Sequence, residues 1–336
     1  MTGPGGDWNS VMRDERGMAL LVTLLVIAIL VVVTMEFART MRHHYLVADN
    51  LGRGYRLDAI ARSGMALGKM LLEKDGRDQN LSDSLLDRWA VSDATDLSSL
   101  FSDGKLSLRI VDHAGRLQVN SFALAGSSGE ALRQAFLRLL TSGEFAVENE
   151  SAARTIVDSV VDWIDNDDQE LEMGAETGYY QSAGKEYSCR NGPLRSVEEL
   201  LLVRGVTREV LFGTEGKLAL ADFLTVYGGD GKVNINTADL VVLAALNPPM
   251  TAAQAKNLDE FRRDDGNKEL LTDPNWYLQV PSWPGDVSFD PQLMTTRSSY
   301  FSIEAAGSDG NGLRRLKAMV RRDDQGAVYE LMRRVE

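Results

Sequence analysis

The sequence predicts an α+β protein with a long apolar N-terminal helix, an antiparallel sheet and a large all-helical block inserted between the strands of that sheet. Three observations carry this. Met18 to Val33 read MALLVTLLVIAILVVV, sixteen residues without a charge. Leu106–Val111 and three C-terminal segments, Tyr300–Ala306, Leu313–Asp323 and Ala327–Val335, alternate apolar and polar residues as half-buried strands do. Between them lie six short segments with the three-to-four spacing of helices: Glu130–Leu140, Ser151–Ile164, Ser196–Val203, Thr207–Phe212, Thr237–Leu246 and Thr251–Arg262.

The apolar run comes first in the chain. Sixteen residues of helix span ~24 Å, and a bilayer core asks for ~20 apolar residues. Thr34, Met35, Phe37 and Ala38 extend the run around Glu36, so it is a short but usable membrane helix. No small-x-small cleavage pattern follows it, which argues against a removed secretory signal. Helical spacing continues through Ala59, Ile60, Ala66, Leu67, Met70 and Leu71 to about Lys74. Gly52, Gly54, Gly64 and Gly68 each weaken a helix by ~1 kcal/mol relative to Ala. Two readings stay open: one long helix, or two helices broken near Gly52 to Gly54.

Residues 75–104 are polar, with one short helix expected around Leu85–Ala90. Leu106–Val111, a turn at Asp112–Gly115 and Arg116–Asn120 read as a β-hairpin. Residues 75–121 then form the first part of the sheet domain, 122–290 the insert, and 291–336 the closing strands. Asp309-Gly310-Asn311-Gly312 and Gln325-Gly326 mark the last two turns.

Composition excludes several functions. The 336 residues are 44% hydrophobic and 25% charged, a globular balance long enough for about two domains. Lys and Arg number 36 against 49 Asp and Glu, a net charge of -13, which opposes a sequence-independent grip on nucleic acid. One cysteine, Cys189, rules out an intrachain disulfide framework and a four-cysteine zinc site. His43, His44 and His113 are too few for a His-rich metal site. Neither G-x-S-x-G, nor H-E-x-x-H, nor a P-loop is present, so no enzyme is expected.

The sharpest local feature is VDSVVDWIDNDDQELEMGAETGYY, Val157 to Tyr180. Eight carboxylates lie between Thr155 and Gly184 without a Lys or Arg: Asp158, Asp162, Asp165, Asp167, Asp168, Glu170, Glu172 and Glu176. A hard cation with six to eight oxygen ligands removes their mutual repulsion, and Ca²⁺ tolerates the irregular geometry of a loop. Counting Asp165 as one, Asp167 is three, Gln169 five, the Leu171 carbonyl seven and Glu176 twelve, the ligand order of an EF-hand. Glu170 stands where that motif requires Gly, so the spacing predicts a calcium loop of another kind. Asp162 and Asp168 are further candidates. The competing reading is a solvated acidic loop behind a helix that buries Val157, Val160, Val161 and Ile164.

Several motifs together resemble the minor pseudopilin K (GspK) family of type II secretion. Arg16-Gly17-Met18 abutting the apolar run looks like a prepilin leader, and Val22 stands at the fifth residue after the expected cut, where prepilins other than that subgroup carry Glu. Asp162–Asp168 (D-W-I-D-x-D-D), Gly174–Tyr180 (G-A-E-x-x-Y-Y), Asn191–Val206 (N-G-P-L-x-S-V-E-E-L-x-x-V-R-G-V) and Leu224–Ala238 (LTVYGGDGKVNINTA) are similar to signatures of that family. The resemblance implies a pilin-like fold and cleavage between Gly17 and Met18 by the prepilin peptidase, which makes 1–17 a leader. It also implies a single pass of the bacterial inner membrane with the large domain in the periplasm. A positive-inside count alone, with Arg39, Arg42, Arg53, Arg56 and Arg62 after the helix, favours the opposite orientation. The resemblance further implies calcium in or near the insert, a place at the tip of the pseudopilus and a part in initiating its assembly. The implied partners are the I- and J-type minor pseudopilins, whose helices are expected on Gly52, Gly64, Ala66 and Gly68.

Two rival functions compete with this resemblance. One is a minor pilin of a type IV pilus. The other is a membrane-anchored helix-hairpin-helix DNA-binding protein, suggested by Leu201–Val206 and Asn234–Leu246. The second hairpin there holds Asn247-Pro248-Pro249-Met250, and Pro lacks the N–H that a phosphate needs. Nearby bases are sparse, so no nucleic acid is expected.

Overall fold

A computed structural model describes residues 8–77, 81–91, 97, 101–247 and 249–335. In chain order the helices and strands are α1 (Trp8–Arg77), β1 (Lys105–Asp112), β2 (Leu117–Gln118), α2 (Ser127–Leu140), α3 (Glu150–Ile164), α4 (Thr177–Ser182), α5 (Arg208–Phe212), β3 (Leu224–Thr225), β4 (Val233–Asn234), α6 (Leu240–Leu246), α7 (Ala252–Arg262), β5 (Met294–Thr295), β6 (Tyr300–Ser308), β7 (Leu313–Arg322) and β8 (Val328–Val335). Contacts divide the chain into two units, residues 1–58 and 59–336.

In the first unit the apolar run is helical, and each large apolar side chain from Met18 to Val33 is exposed. Thr23 and Thr34 turn their hydroxyls back onto the carbonyls of Leu20 and Leu30, both at 2.8 Å. Their polar atoms are thereby satisfied within the helix, as a lipid surrounding demands. This is the one helix among the described residues long and apolar enough to cross a membrane. Helix α1 continues without a break through Gly52–Gly54. A glycine weakens a helix without removing its N–H donor, so the backbone ladder survives.

The second unit contains the sheet and the helical block. The sheet runs β1-β6-β7-β8, antiparallel throughout. One face buries Leu108, Ile110, Phe301, Ile303, Leu316 and Val320 in one cluster with Ala61, Met65 and Leu72 of α1. Gly64 and Gly68 sit against this face: a Cβ at either would press on Leu106 and Ala305 or on Ile303 and Leu108. The small residues expected to receive partner helices therefore divide. Gly64 and Gly68 are buried against the chain's own sheet, while Gly52 and Ala66 are exposed.

The expected hairpin is corrected. β1 pairs with β6, Lys105 facing Ser308 and Asp112 facing Phe301. Residues Leu117–Gln118 instead pair in parallel with β3, and Val119–Ser121 form a 3₁₀ turn. The turn itself is real, since Asp112 Oδ1 accepts the Ala114 N–H at 2.7 Å. It redirects the chain into the helical block instead of back along β1.

That block has its own core, in which Phe122 stacks on Phe136 at 4.8 Å among Ile156, Val160, Trp163, Val242, Leu243 and Trp276. The N-I-N-T-A segment fastens it to the sheet. Asn234 Nδ2 donates to Ser298 Oγ at 2.8 Å and to the Asp83 carbonyl at 3.1 Å. Asn236 donates to the Leu271 carbonyl and accepts the Trp276 indole N–H at 2.7 Å.

Candidate functional site

Helix α3 carries the acidic loop at its C-terminal end. Asn149 caps its start by accepting the Ala152 N–H at 2.9 Å. Val157, Val160, Val161, Trp163 and Ile164 are buried, and so is Asp162 on the same helix. The helix ends at Asp165, whose N–H closes the last turn on Val161 O at 2.9 Å while its backbone turns extended.

The loop then folds back over the helix end. Asp162 accepts the Ala175 N–H at 2.8 Å and the Leu171 N–H at 3.3 Å. Asp158 accepts the Met173 N–H at 3.1 Å. Gly174 abuts Asp162 so closely that a Cβ there would collide with its carboxylate. The Gly174 carbonyl in turn accepts from Arg204 Nη1 at 2.7 Å, and the guanidinium lies 4.5 Å over the Tyr179 ring. Tyr180 packs edge-on to Trp163 at 5.2 Å, and its hydroxyl accepts the Arg204 N–H. Trp163, Gly174, Tyr179, Tyr180 and Arg204 thus form the frame of the loop. Arg204 is spent on this frame, which removes it from the rival DNA-binding hairpin.

Carboxylate oxygens of Asp162, Asp165 and Glu176 converge within 4.8 Å of one another. Asp165 Oδ1, both Glu176 oxygens and Asn191 Oδ1 are buried and have no hydrogen-bond partner among the described residues. Burial raises the Glu176 pKa to about 7, with the Asp162, Asp165 and Asp168 charges adding to it. Burial likewise raises Asp162 to about 6, and it raises Asp165. Leaving buried acceptors unpaired costs ~1–3 kcal/mol each. A hard cation satisfies such oxygens and cancels their repulsion, so this donor set fits calcium.

The sequence-predicted ligands separate accordingly. Asp165 and Glu176 meet, joined by Asp162. Asp167 and Asp168 lie outside that group of three and are exposed. Asp167 Oδ1 accepts the Gln169 N–H at 2.9 Å, a local turn, and Asp168 Oδ1 accepts from Asn191 Nδ2 at 3.0 Å. Gln169 and Leu171 are also exposed, and the Leu171 carbonyl accepts the Gly174 N–H at 3.0 Å. Of the residues in the EF-hand count, the structure brings Asp165 and Glu176 together and leaves Asp167, Gln169 and Leu171 outside that group. Asn191 was missed as a candidate. Its signal was its place before Gly192-Pro193, because Asn tolerates the left-handed backbone it adopts here at φ 47°.

A second acidic group, Asp75, Asp83 and Asp87, has a different character. Arg322 pairs with Asp75 at 2.7 Å and with Asp83, and Lys268 pairs with Asp87 at 3.0 Å. Side-chain cations already neutralise it, so it does not ask for a metal.

A long apolar N-terminal helix, an antiparallel sheet packed on the later part of that helix and an inserted helical block define a pilin-like class of protein whose apolar helix is long enough to cross a membrane. A family model described as "Type II secretion system (T2SS), protein K" matches residues 115–221, which include the acidic loop. The chain is similar to the type II secretion system protein K of Aeromonas hydrophila, 28% identical over 96% of this chain and 97% of that one. It is also similar to that of Pseudomonas aeruginosa, 25% identical over 96% and 93%. A chain of the GspK-GspI-GspJ complex from the enterotoxigenic Escherichia coli type 2 secretion system shares the fold. It matches at a TM-score of 0.63 and 16% identity, covering 86% of this chain and 99% of that one. The chain is thus similar to type II secretion system protein K along nearly its whole length, and residues 115–221 match that family's model.

Proposed function

We propose that this chain is a minor pseudopilin of a type II secretion system that caps the tip of the periplasmic pseudopilus, and that calcium on Asp162, Asp165 and Glu176 sets the fold of its insert. The reading of tip placement rests on Val22. A carboxylate within the apolar helix costs a few kcal/mol in lipid unless it is paired, and Val22 supplies none to pair with a neighbouring subunit. A subunit with nothing ahead of it needs no such pair. The inserted block is also too bulky to repeat along a thin fibre, which suits one copy at the end.

When bound, calcium would supply positive charge to the buried oxygens of Asp162, Asp165 and Glu176, with Asn191 Oδ1 beside them. The chain's own residues do the rest. Arg204 holds the Gly174 carbonyl, and Asp162 holds the Leu171 and Ala175 N–H groups, so the loop stays closed over the end of α3.

The proposal includes cleavage after Gly17 by the prepilin peptidase, a single inner-membrane pass and a periplasmic domain. Its role is structural, with I- and J-type minor pseudopilins as partners. The assembly of GspK with GspI and GspJ in the Escherichia coli complex supports this choice of partner. Copurification from membranes with the I- and J-type subunits tests it. Copurification with type IV pilus subunits instead would favour the rival reading.

A further inference from the structure

The sheet has a second face, turned away from α1, and its charge is opposite to that of the protein. The register places Lys105 and Arg109 of β1, Arg315, Lys317 and Arg321 of β7 and Arg334 of β8 on that face. Glu304 of β6 is the single carboxylate among these strand positions, and Arg315 pairs with it at 2.8 Å. The whole chain carries -13, so the rest of the molecule is more acidic than the total. Lys317, Arg321 and Arg334 are exposed and form no close ion pair among the described residues, and Glu198 of the insert is the carboxylate whose pKa the Arg334 and Lys317 charges help to lower.

The same face ends at an open edge. β8 is last in the strand order, and its outer side pairs with no strand among the described residues. Tyr329 and Met332 are 56% and 42% exposed and share the outer face with Arg334. Beside them a cleft of about 790 Å³ runs between sheet and insert, floored by Met319 and Met332, with Lys317, Arg334 and Arg195 on its rim and the carboxylates Glu198, Asp222, Asp239 and Glu304 also lining it.

We infer that β8 and this cleft receive an extended segment of a partner protein with Asp or Glu at every second position. An added strand satisfies the free N–H and C=O groups of an edge, and its side chains alternate between faces. Its acidic residues then lie on the outer face beside Arg334 and Lys317, while the residues between them point to the side of α1. A second copy of this chain is a poorer occupant, because it brings the same cations to the seam. A flat anionic membrane does not enter a cleft, and a long polyanion meets the surrounding acidic surface. The inference is independent of calcium and of tip placement.

The test uses the full chain in nanodiscs of phosphatidylcholine, which presents no anionic headgroup. The probe is a fluorescein-labelled peptide as long as β8 that alternates Glu and Val. Fluorescence anisotropy should show salt-sensitive binding. The double variant Lys317→Glu, Arg334→Glu should weaken it by roughly tenfold or more, with an unchanged circular dichroism spectrum. The variant should instead bind the peptide that alternates Lys and Val, a gain of function that a misfolded protein could not show. Absence of binding overturns the inference. Equal binding of a peptide with the same residues in two blocks overturns the strand geometry. Displacement by glycerophosphoglycerol, the soluble lipid headgroup, would assign the face to membrane and overturn it as well.

Discussion

Thr237 and Asp112, 125 residues apart in sequence, are joined by a hydrogen bond from the Thr237 hydroxyl to Asp112 Oδ2 at 2.5 Å. Ser298 Oγ donates to the same oxygen at 2.7 Å. Asp112 is the last residue of β1, Thr237 follows β4 and Ser298 precedes β6. One buried carboxylate therefore fastens the insert to the sheet at both of its junctions.

Removing one donor should loosen that junction. Thr237→Val keeps the side-chain shape and leaves the buried Asp112 one donor short, which costs about 1–3 kcal/mol. For a domain of this size each kcal/mol lowers the melting temperature by roughly 2–4 °C. Differential scanning calorimetry reads this directly. An unchanged melting temperature would mean that the hydrogen bond contributes nothing net.

The sequence made this junction visible only as a motif. Helices α2, α3 and α7 and strands β6, β7 and β8 were legible because each is long enough to show its period. The two-residue pairs β2–β3 and β4–β5 carry no period at all. The hairpin misreading has the same root. A turn signal beside two alternating segments is local, whereas the partner of β1 lies at the far end of the chain, beyond the insert. In the acidic loop, charge density marked where carboxylates gather, and spacing named Asp165 and Glu176, two of the three that converge. It under-weighted Asp162 because a residue on the buried side of a helix reads as core, and it missed Asn191 because that residue reaches the site only through folding.

Acidity should act on the loop with a definite sign. Glu176, at about 7, and Asp162, at about 6, both lie above the ordinary carboxylate range because burial disfavours their charged forms. The folded apo protein thus holds protons more tightly than the unfolded chain. Without calcium, these groups lose stabilising effect as pH rises from about 4 through 7. Calcium competes with those protons, so its stabilisation is largest above about pH 7 and fades as pH falls toward about 5. The melting-temperature difference between calcium and EDTA should therefore grow with pH over that range. A difference independent of pH would contradict the assignment of Glu176 and Asp162.

Gly174→Ala should damage the loop while leaving the helical core folded. The added Cβ collides with the Asp162 carboxylate, which must move and release the Ala175 N–H. Trp163 packs on Tyr180 behind the loop, so its fluorescence reports the change. The variant should melt at one temperature with or without calcium. Retention of the full calcium effect would show that Asp162 is dispensable.

The N-terminus can be checked by mass. Arg16-Gly17-Met18 abuts the uncharged helix, so protein extracted from membranes of cells with the peptidase should begin at Met18. Gly17→Leu should leave the longer chain. A mature chain starting at Met1, or beyond Ala38, would contradict the leader assignment.

The central claim is that the unpartnered oxygens of Asp165 and Glu176 hold calcium. The most direct measurement is a calcium titration of the full chain by isothermal calorimetry, after EDTA treatment and at neutral pH, alongside its thermal melt. Saturable binding should appear together with a rise in melting temperature of several degrees, since a hundredfold excess over Kd stabilises the folded form by about 2.7 kcal/mol. Asp165→Asn and Glu176→Gln should each abolish the rise, and magnesium should substitute poorly. If the wild-type chain takes up no calcium and melts at the same temperature in EDTA as in millimolar calcium, the loop is a solvated acidic patch and the assignment is wrong.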